Sequence, residues 1–176
     1  KLSAKQFVSE DIRKVSYRLF DDKYMYYNDE FIERNRRDVM QHFLDNENVG
    51  LSLCKQFKSG DSYQHVFVSN KIIESSFVSN KTSEITSLFP LYLYPDTTDQ
   101  PTLNQPTERV PNLDMKIVDE IAQKLGLAFT PEKCASTPFG SAQGQQLSNL
   151  APTTFAPIDI LDYIYAILHS PSYRET

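Results

Sequence analysis

Glycine is scarce in this chain, with five residues at positions 50, 60, 126, 140 and 144 that nowhere cluster. A loop that cradles phosphates needs neighbouring glycines so that backbone N–H groups can approach the ligand, and a nucleotide-binding loop is therefore excluded. None of the ten prolines is followed by another. That removes the Asn/Asp-Pro-Pro-aromatic signature that holds a flipped adenine for amino-methyl transfer. The two cysteines, Cys54 and Cys134, lie far apart and form neither a disulfide framework nor a metal-ligand spacing. His42, His65 and His169 are scattered, with no nucleophile at a recognisable spacing, and read as packing or surface residues. Pro95-Asp96 lacks the following Glu-x-Lys of a metal-dependent nuclease and reads as a turn. No window of some eighteen apolar residues occurs, and KLSAKQFVSE has no apolar signal region, so neither membrane insertion nor secretion is indicated. Asn80-Lys81-Thr82 fits a glycosylation sequon, but only a secretory route would make use of it. A reducing cytoplasm is the simplest location.

A surplus of positive charge is also missing. The net charge is -5, and the acidity lies in the second half. Residues 1–58 hold eleven Lys/Arg against ten Asp/Glu, whereas residues 91–176 hold five against ten. A phosphate-facing surface would have to be built from the first half.

With 176 residues, 40% of them hydrophobic, the chain can bury one ordinary core. VSYRLFDDKYMYYNDE (residues 15–30) suits short strands or a packed loop, and Val39, Met40, Phe43 and Leu44 predict a helix from about Arg36 to Leu44. VGLSLCKQF reads as a strand. YQHVFVS, IIESSFVS and LFPLYLY are three further β-rich runs. Residues 95–111 are polar and proline-punctuated, hence a loop. In PNLDMKIVDEIAQKLG, Asn112 is the expected N-cap, Asp114 sits in the first turn, and Gly126 is the stop. Ile117, Val118, Ile121, Ala122 and Leu125 form its apolar stripe. PIDILDYIYAILHS predicts a second amphipathic helix with Ile160, Leu161, Ile164, Tyr165 and Leu168 on one face and His169 at its end. The fold expected is α+β: a small, mainly antiparallel sheet with a helix before it and two amphipathic helices after it. Lys1 in place of Met, and the helix-start signal Ser170-Pro171 so near the last residue, suggest a piece of a longer protein.

FVSNK occurs twice, at Phe67–Lys71 and Phe77–Lys81. One reading is structural: each copy is a strand ending in a turn, since Asn tolerates turn conformations. The other is functional and extends to a wider set of long polar side chains at strand ends and helix starts, namely Arg34, Arg36, Arg37, Lys55, Gln56, Lys58, Asn70, Lys71, Asn80, Lys81 and Thr82. Arg and Lys read guanine edges or neutralise phosphates, and Asn and Gln pair with adenine. Such a set fits a base-reading surface and equally fits a solvated one.

YRLFDDKYMYYND, RNRRDVMQHFL, GLSLCKQ, HVFVSNKIIESSFVSNKTSEITSLFPLYLYP and FAPIDILDYIYAILHSPSYRE together resemble the C-terminal specificity domain of Type ISP restriction–modification enzymes and related adenine-specific DNA methyltransferases. The departures are Leu19 in place of Pro, Lys23 and Lys55 in place of Arg, and an opening motif without Trp. Lys lacks the planar fork of Arg, so Lys55 suits a phosphate better than a guanine edge. Residues 135–156 match no known motif.

The resemblance implies a single target recognition domain over residues 1–176, with a β-rich DNA-reading part (1–95) and a helical supporting part (96–176). It would read double-stranded DNA and place an adjoining methyltransferase core of the same polypeptide on its adenine. The alternative is a docking domain that does not itself read DNA. The resemblance implies no catalysis in this segment. S-adenosylmethionine, with ATP and Mg in the Type ISP forms, would belong to the parent enzyme. The two FVSNK tips would bring Asn70-Lys71 and Asn80-Lys81-Thr82 toward one DNA face, with Lys on phosphates and Asn or Thr on bases.

Overall fold

The computed structural model describes residues 7–56, 64–79, 84–95, 108–132 and 153–174. Within them the expected α+β architecture is present, with short strands in several small sheets and helices concentrated after them.

The first sheet is built on a hairpin, β1 (Ile12–Arg18) and β2 (Asp21–Tyr26), paired antiparallel with a register irregularity between Ser16 and Arg18. β5 (Ile72–Ile73) joins the other edge of β1 in parallel, Val15 opposite Ile72 and Ser16 opposite Ile73. The second sheet has the order β4-β3-β6, from β4 (Val66–Ser69), β3 (Gly50–Cys54) and β6 (Thr86–Pro90), all antiparallel. β3 alternates between buried Gly50, Ser52 and Cys54 and partly exposed Leu51 and Leu53, the period-two pattern of a strand with one face on a core. Gly50 is required there. A Cβ would lie 2.7 Å from the Phe43 ring and 2.9 Å from the Phe89 carbonyl oxygen.

Val15, Tyr27, Phe43, Cys54, Ile72, Phe77 and Leu88 form the main core between the two sheets. Burial pushes the Tyr27 hydroxyl up to about 12 and raises the Cys54 thiol, because both charged forms would lose hydration. A smaller cluster of Leu91, Tyr92 and Leu161 joins β7 (Tyr92–Leu93), which pairs with β8 (Val110–Pro111), to the helices. The buried Asn48 ties the two regions. Its amide donates to the His42 and Tyr92 carbonyls at 3.0 and 2.8 Å and accepts from the Val49 and Tyr92 N–H groups at 3.0 and 3.2 Å.

Several sequence-based expectations need correction. The described residues of the second FVSNK copy, Phe77 to Ser79, are not a strand: Phe77 and Val78 are buried in a turn that begins when the Phe77 N–H bonds to the Glu74 carbonyl at 3.0 Å. Glu74 organises that turn, accepting from the Ser75 hydroxyl and the Ser76 N–H at 2.7 and 2.9 Å. The predicted helix over Arg36 to Leu44 is one short turn, α1 (Arg37–Met40), tightening into a 3-10 turn at Gln41–Phe43. Arg36, in the N-cap position, has left-handed backbone and no side-chain cap, and a start without a cap supports only a brief helix.

α2 (Met115–Leu125) is capped by Asp114, which accepts from the Lys116 N–H at 2.9 Å. Asn112 instead donates to the Pro90 carbonyl at 2.9 Å. Gly126 ends the helix at φ 67, as expected. Of the apolar stripe only Val118 is fully buried, while Ile117 and Leu125 are exposed. α3 (Pro157–His169) starts on Pro157 and buries Leu161, and α4 (Pro171–Arg174) follows it. β9 (Ala128–Phe129) and β10 (Thr154–Phe155) form a short parallel pair between the two main helices. His169 fastens the end of α3 to β4: its Nε2–H donates to the Val66 carbonyl at 3.0 Å while Nδ1 accepts from Arg174 at 2.8 Å. No described helix is long and apolar enough to cross a membrane.

Candidate nucleic-acid interface

The first FVSNK copy does end in an outward turn, and Ser69 shapes it. The buried Ser69 hydroxyl accepts from the Lys71 N–H at 3.2 Å and donates to the Lys71 carbonyl at 3.0 Å, a local side-chain turn. Asn70 is thereby exposed at the end of β4, and Lys71 is turned toward the β1–β2 hairpin. Two shallow clefts meet at this pair. One, of about 430 Å³, includes Leu19, Phe20, Phe67 and Tyr165 in its lining; the other, of about 210 Å³, includes Arg13, Lys14, Phe43 and Asp45.

Charge on this face is organised around Asp22. Lys71 and Lys14 both approach its Oδ2, at 3.0 and 3.3 Å, and the Ser16 hydroxyl donates to Oδ1 at 3.1 Å. The Lys71 hydrogen bond is the main reason the Asp22 carboxyl is held below its ordinary range. The geometry follows from strand pleating, since Ser16 lies opposite Asp22 and Lys14 stands two residues along β1 on the same face. Arg13 pairs with Asp45, Arg18 with Glu74, and Lys23 with Asp21 at 3.6 Å. Burial works against ionisation of Glu74, but the Ser75 hydroxyl, the Ser76 N–H and Arg18 outweigh it and lower its pKa. Lys14 and Lys71 thus share one acid on the Ser16 face, while Arg13, Arg18 and Lys23 are held in separate, partly exposed pairs.

The remaining candidates do not join this cluster. Arg34 and Arg36 sit in a separate turn at φ 59 and 48, both exposed. That turn is held from inside, where the Tyr27 hydroxyl donates to the Asn35 carbonyl at 2.8 Å and the Asn35 amide donates to Asp29 at 2.6 Å. Arg37 is drawn onto Asp29 at 3.0 Å. Lys55 and Gln56 are exposed beyond the far end of β3, with the Lys55 ammonium 5.6 Å from the Phe89 ring centre. Ser69 pairs with Gly50, so at about 3.4 Å per residue Lys55 stands about 17 Å along the strand from the Asn70 end. Lys58, Asn80, Lys81 and Thr82 lie outside the described residues.

Arg13, Lys14, Arg18 and Lys23 were not among the residues singled out from sequence. For the first three the signal was the alternation in IRKVSYR, which sends Arg13 and Lys14 to opposite faces of one strand and assigns Lys14 to the face of Ser16.

Residues 1–176 match the family model described as the Type ISP C-terminal specificity domain. The chain belongs to that family. No curated protein matches it. Among solved structures, this specificity domain resembles part of the chain in a cryo-EM structure of a DrdV–DNA complex, with TM-score 0.63 and 20% identity over 97% of its own length and 13% of that chain. It also resembles part of the ATP-dependent Type ISP restriction-modification enzyme LlaBIII bound to DNA, with TM-score 0.59 and 16% identity over 98% of its length and 9% of that chain. At these identities the likeness is one of fold, and the specificity domain spans about a tenth of either protein.

Proposed function

We propose that this specificity domain is the DNA target recognition module of a bacterial restriction–modification enzyme that methylates adenine at N6, and that it positions the catalytic core of the same polypeptide on its site. The observation that carries the reading is the match of the whole chain to a specificity-domain family. Two proteins of like fold are also described in complex with DNA. In this reading Lys71 and Lys14 exchange Asp22 for backbone phosphates, and Asn70, beside them on the turn set by Ser69, meets a base edge. Arg34 and Arg36 contact the duplex from a second position, with Arg37 exchanging Asp29 for phosphate. Lys55, Gln56 and Lys58 contact it from a third. Asn80, Lys81 and Thr82 belong to the same set on the strength of their motif.

The reading divides the chain into a DNA-reading part, 1–95, and a supporting part, 96–176. α2 keeps Ile117 and Leu125 exposed and α3 keeps Tyr163 and Ile167 exposed, apolar side chains that suit the methyltransferase core of the parent enzyme. Those exposed side chains also favour the second reading, a docking domain that does not touch DNA. Catalysis resides elsewhere in the parent, which acts in the cytoplasm with S-adenosylmethionine and, for a Type ISP enzyme, ATP and Mg. The described glycines do not suit such cofactors: Gly50 is filled by Phe43, Leu88 and Phe89, and Gly126 ends a helix.

The test is selection from a randomised pool of duplexes, run with the domain alone and with the domain joined to its native upstream region. Enrichment of one asymmetric sequence supports target recognition. If neither protein retains any duplex above background, the docking reading replaces it.

A further inference from the structure

The β1–β2 connection is two residues long, because Arg18 pairs with Asp21 and leaves only Leu19 and Phe20 between them. Leu19 turns inward against the core. Phe20 does the opposite. Its φ of 61 lies in the left-handed region, and the residue is fully exposed. A turn position of that kind suits Gly or Asn, and a bulky residue there is an outlier. Neither backbone geometry nor core packing therefore accounts for a phenylalanine at this position. Strain and exposure together at one aromatic residue point to a ligand.

The surroundings indicate which ligand. Tyr17, at the register irregularity, carries the Arg18 guanidinium 4.0 Å from its ring centre and the Lys23 ammonium at 3.8 Å. Both cations are thus held on the ring of Tyr17, three residues before Phe20, and their partners, Glu74 and Asp21, are partly exposed acids from which a phosphate can displace them. An apolar side chain at a hairpin tip, with cations on the strands that lead into and out of it, suits a base step between phosphates, and proteins that unstack duplexes insert such wedges. We propose that Phe20 is a stacking wedge that enters between neighbouring bases of the target duplex, with Arg18 and Lys23 on the flanking phosphates. This rests on the DNA-reading function proposed above.

The chain contains no tryptophan, so Phe20→Trp supplies a single reporter at the wedge. Titrated with a 30-base-pair random-sequence duplex at low salt, the F20W indole is expected to lose emission through stacking and to become inaccessible to acrylamide. A Tyr24→Trp reporter, on the exposed Tyr24 of β2, should remain accessible. Phe20→Ala should weaken binding by about 5- to 150-fold, the range for losing one aromatic–base stack. Phe20→Gly, at ease at φ 61, should show the same weakening with Tm unchanged or higher, separating the loss from misfolding. Wild-type binding with unchanged F20W emission and acrylamide access, or with undiminished F20A affinity, removes the wedge and leaves the DNA reading intact. Absence of wild-type binding at low salt removes both.

Discussion

Lys71→Ala measures how much of the interface depends on the turn that Ser69 builds. If Lys71 replaces Asp22 with a phosphate on binding, the variant releases one fewer counterion. The slope of log K against log salt then falls in magnitude by about 0.9. Extrapolated from a common value at 1 M, that slope corresponds to about 15-fold weaker binding at 0.05 M salt, 8-fold at 0.1 M and 4-fold at 0.2 M. The gain for Lys71 is offset by the pair it gives up, since its ammonium lies 3.0 Å from Asp22 while Lys14 reaches the same oxygen. A partly exposed pair of this kind contributes about 0.5 kcal/mol, roughly a twofold discount, so the net loss at 0.1 M should be near 4-fold. The slope is unaffected by that discount. Fluorescence anisotropy on a random-sequence duplex at four or five salt concentrations gives both quantities. Parallel lines for variant and wild type would show that Lys71 does not meet phosphate, whatever the absolute affinities.

Asp22→Asn should act in the opposite direction, freeing Lys14 and Lys71 together and tightening non-specific binding several-fold; weaker binding in the same titration would assign the carboxylate a positive role in the complex. Gly50→Ala forces a Cβ against Phe43, Leu88 and the Phe89 carbonyl and should cost about 1–3 kcal/mol, read as a lower urea midpoint with unchanged m-value. A midpoint within error of wild type would mean that β3 and its neighbours shift freely. Asn48→Ala leaves the His42 and Tyr92 carbonyls and the Val49 and Tyr92 N–H groups short of a partner, for a loss of about 2–4 kcal/mol by the same assay; a loss below about 1 kcal/mol would contradict its bridging role. Asp22 and Glu74 have lowered pKa values in the fold. Their contribution to stability is present at neutral pH and is lost as pH falls below about 4 and through the lowered values. Asp22→Asn should therefore show a shallower acid decline in Tm than wild type, and an identical decline would rule out Asp22 as a source of it.

Local chemistry made much of the fold legible. Alternation marked β3, dense β-branched and aromatic runs marked β4 and β6, Gly126 marked the end of α2, and Pro157 marked the start of α3. What failed depended on tertiary context. Phe67 and Phe77 sit in identical pentapeptides, yet one lies on a strand and the other fills the core from a turn, because Glu74 captures the Ser76 and Phe77 amides where the second copy begins. Asp114 displaced Asn112 as the cap because Asn112 found the Pro90 carbonyl 22 positions away. Neither Ile117 nor Leu125 is buried, so the apolar pattern of α2 outran its partners in this chain.

The candidate site was legible in residue type and only partly in place. Asn70 and Lys71 are presented together, as the motif suggested, whereas Lys55 and Gln56 stand at the far end of β3 and the three arginines in a turn of their own. No pattern in the sequence links Lys71 to Asp22, which lies 49 positions earlier, or shows that nearly every cation around it already holds an acid.

Those internal pairs make the salt dependence of DNA binding the most direct measurement of the DNA contact on which target recognition depends. The specificity domain, alone and joined to its native upstream region, should be titrated with random-sequence duplex at 0.05 M and 0.2 M salt, concentrations bracketing the range in which phosphate contacts dominate. Binding that weakens steeply between the two concentrations and tightens in the longer protein is the expected result. Absence of binding by either protein at 0.05 M would contradict a DNA-reading role and favour the docking reading.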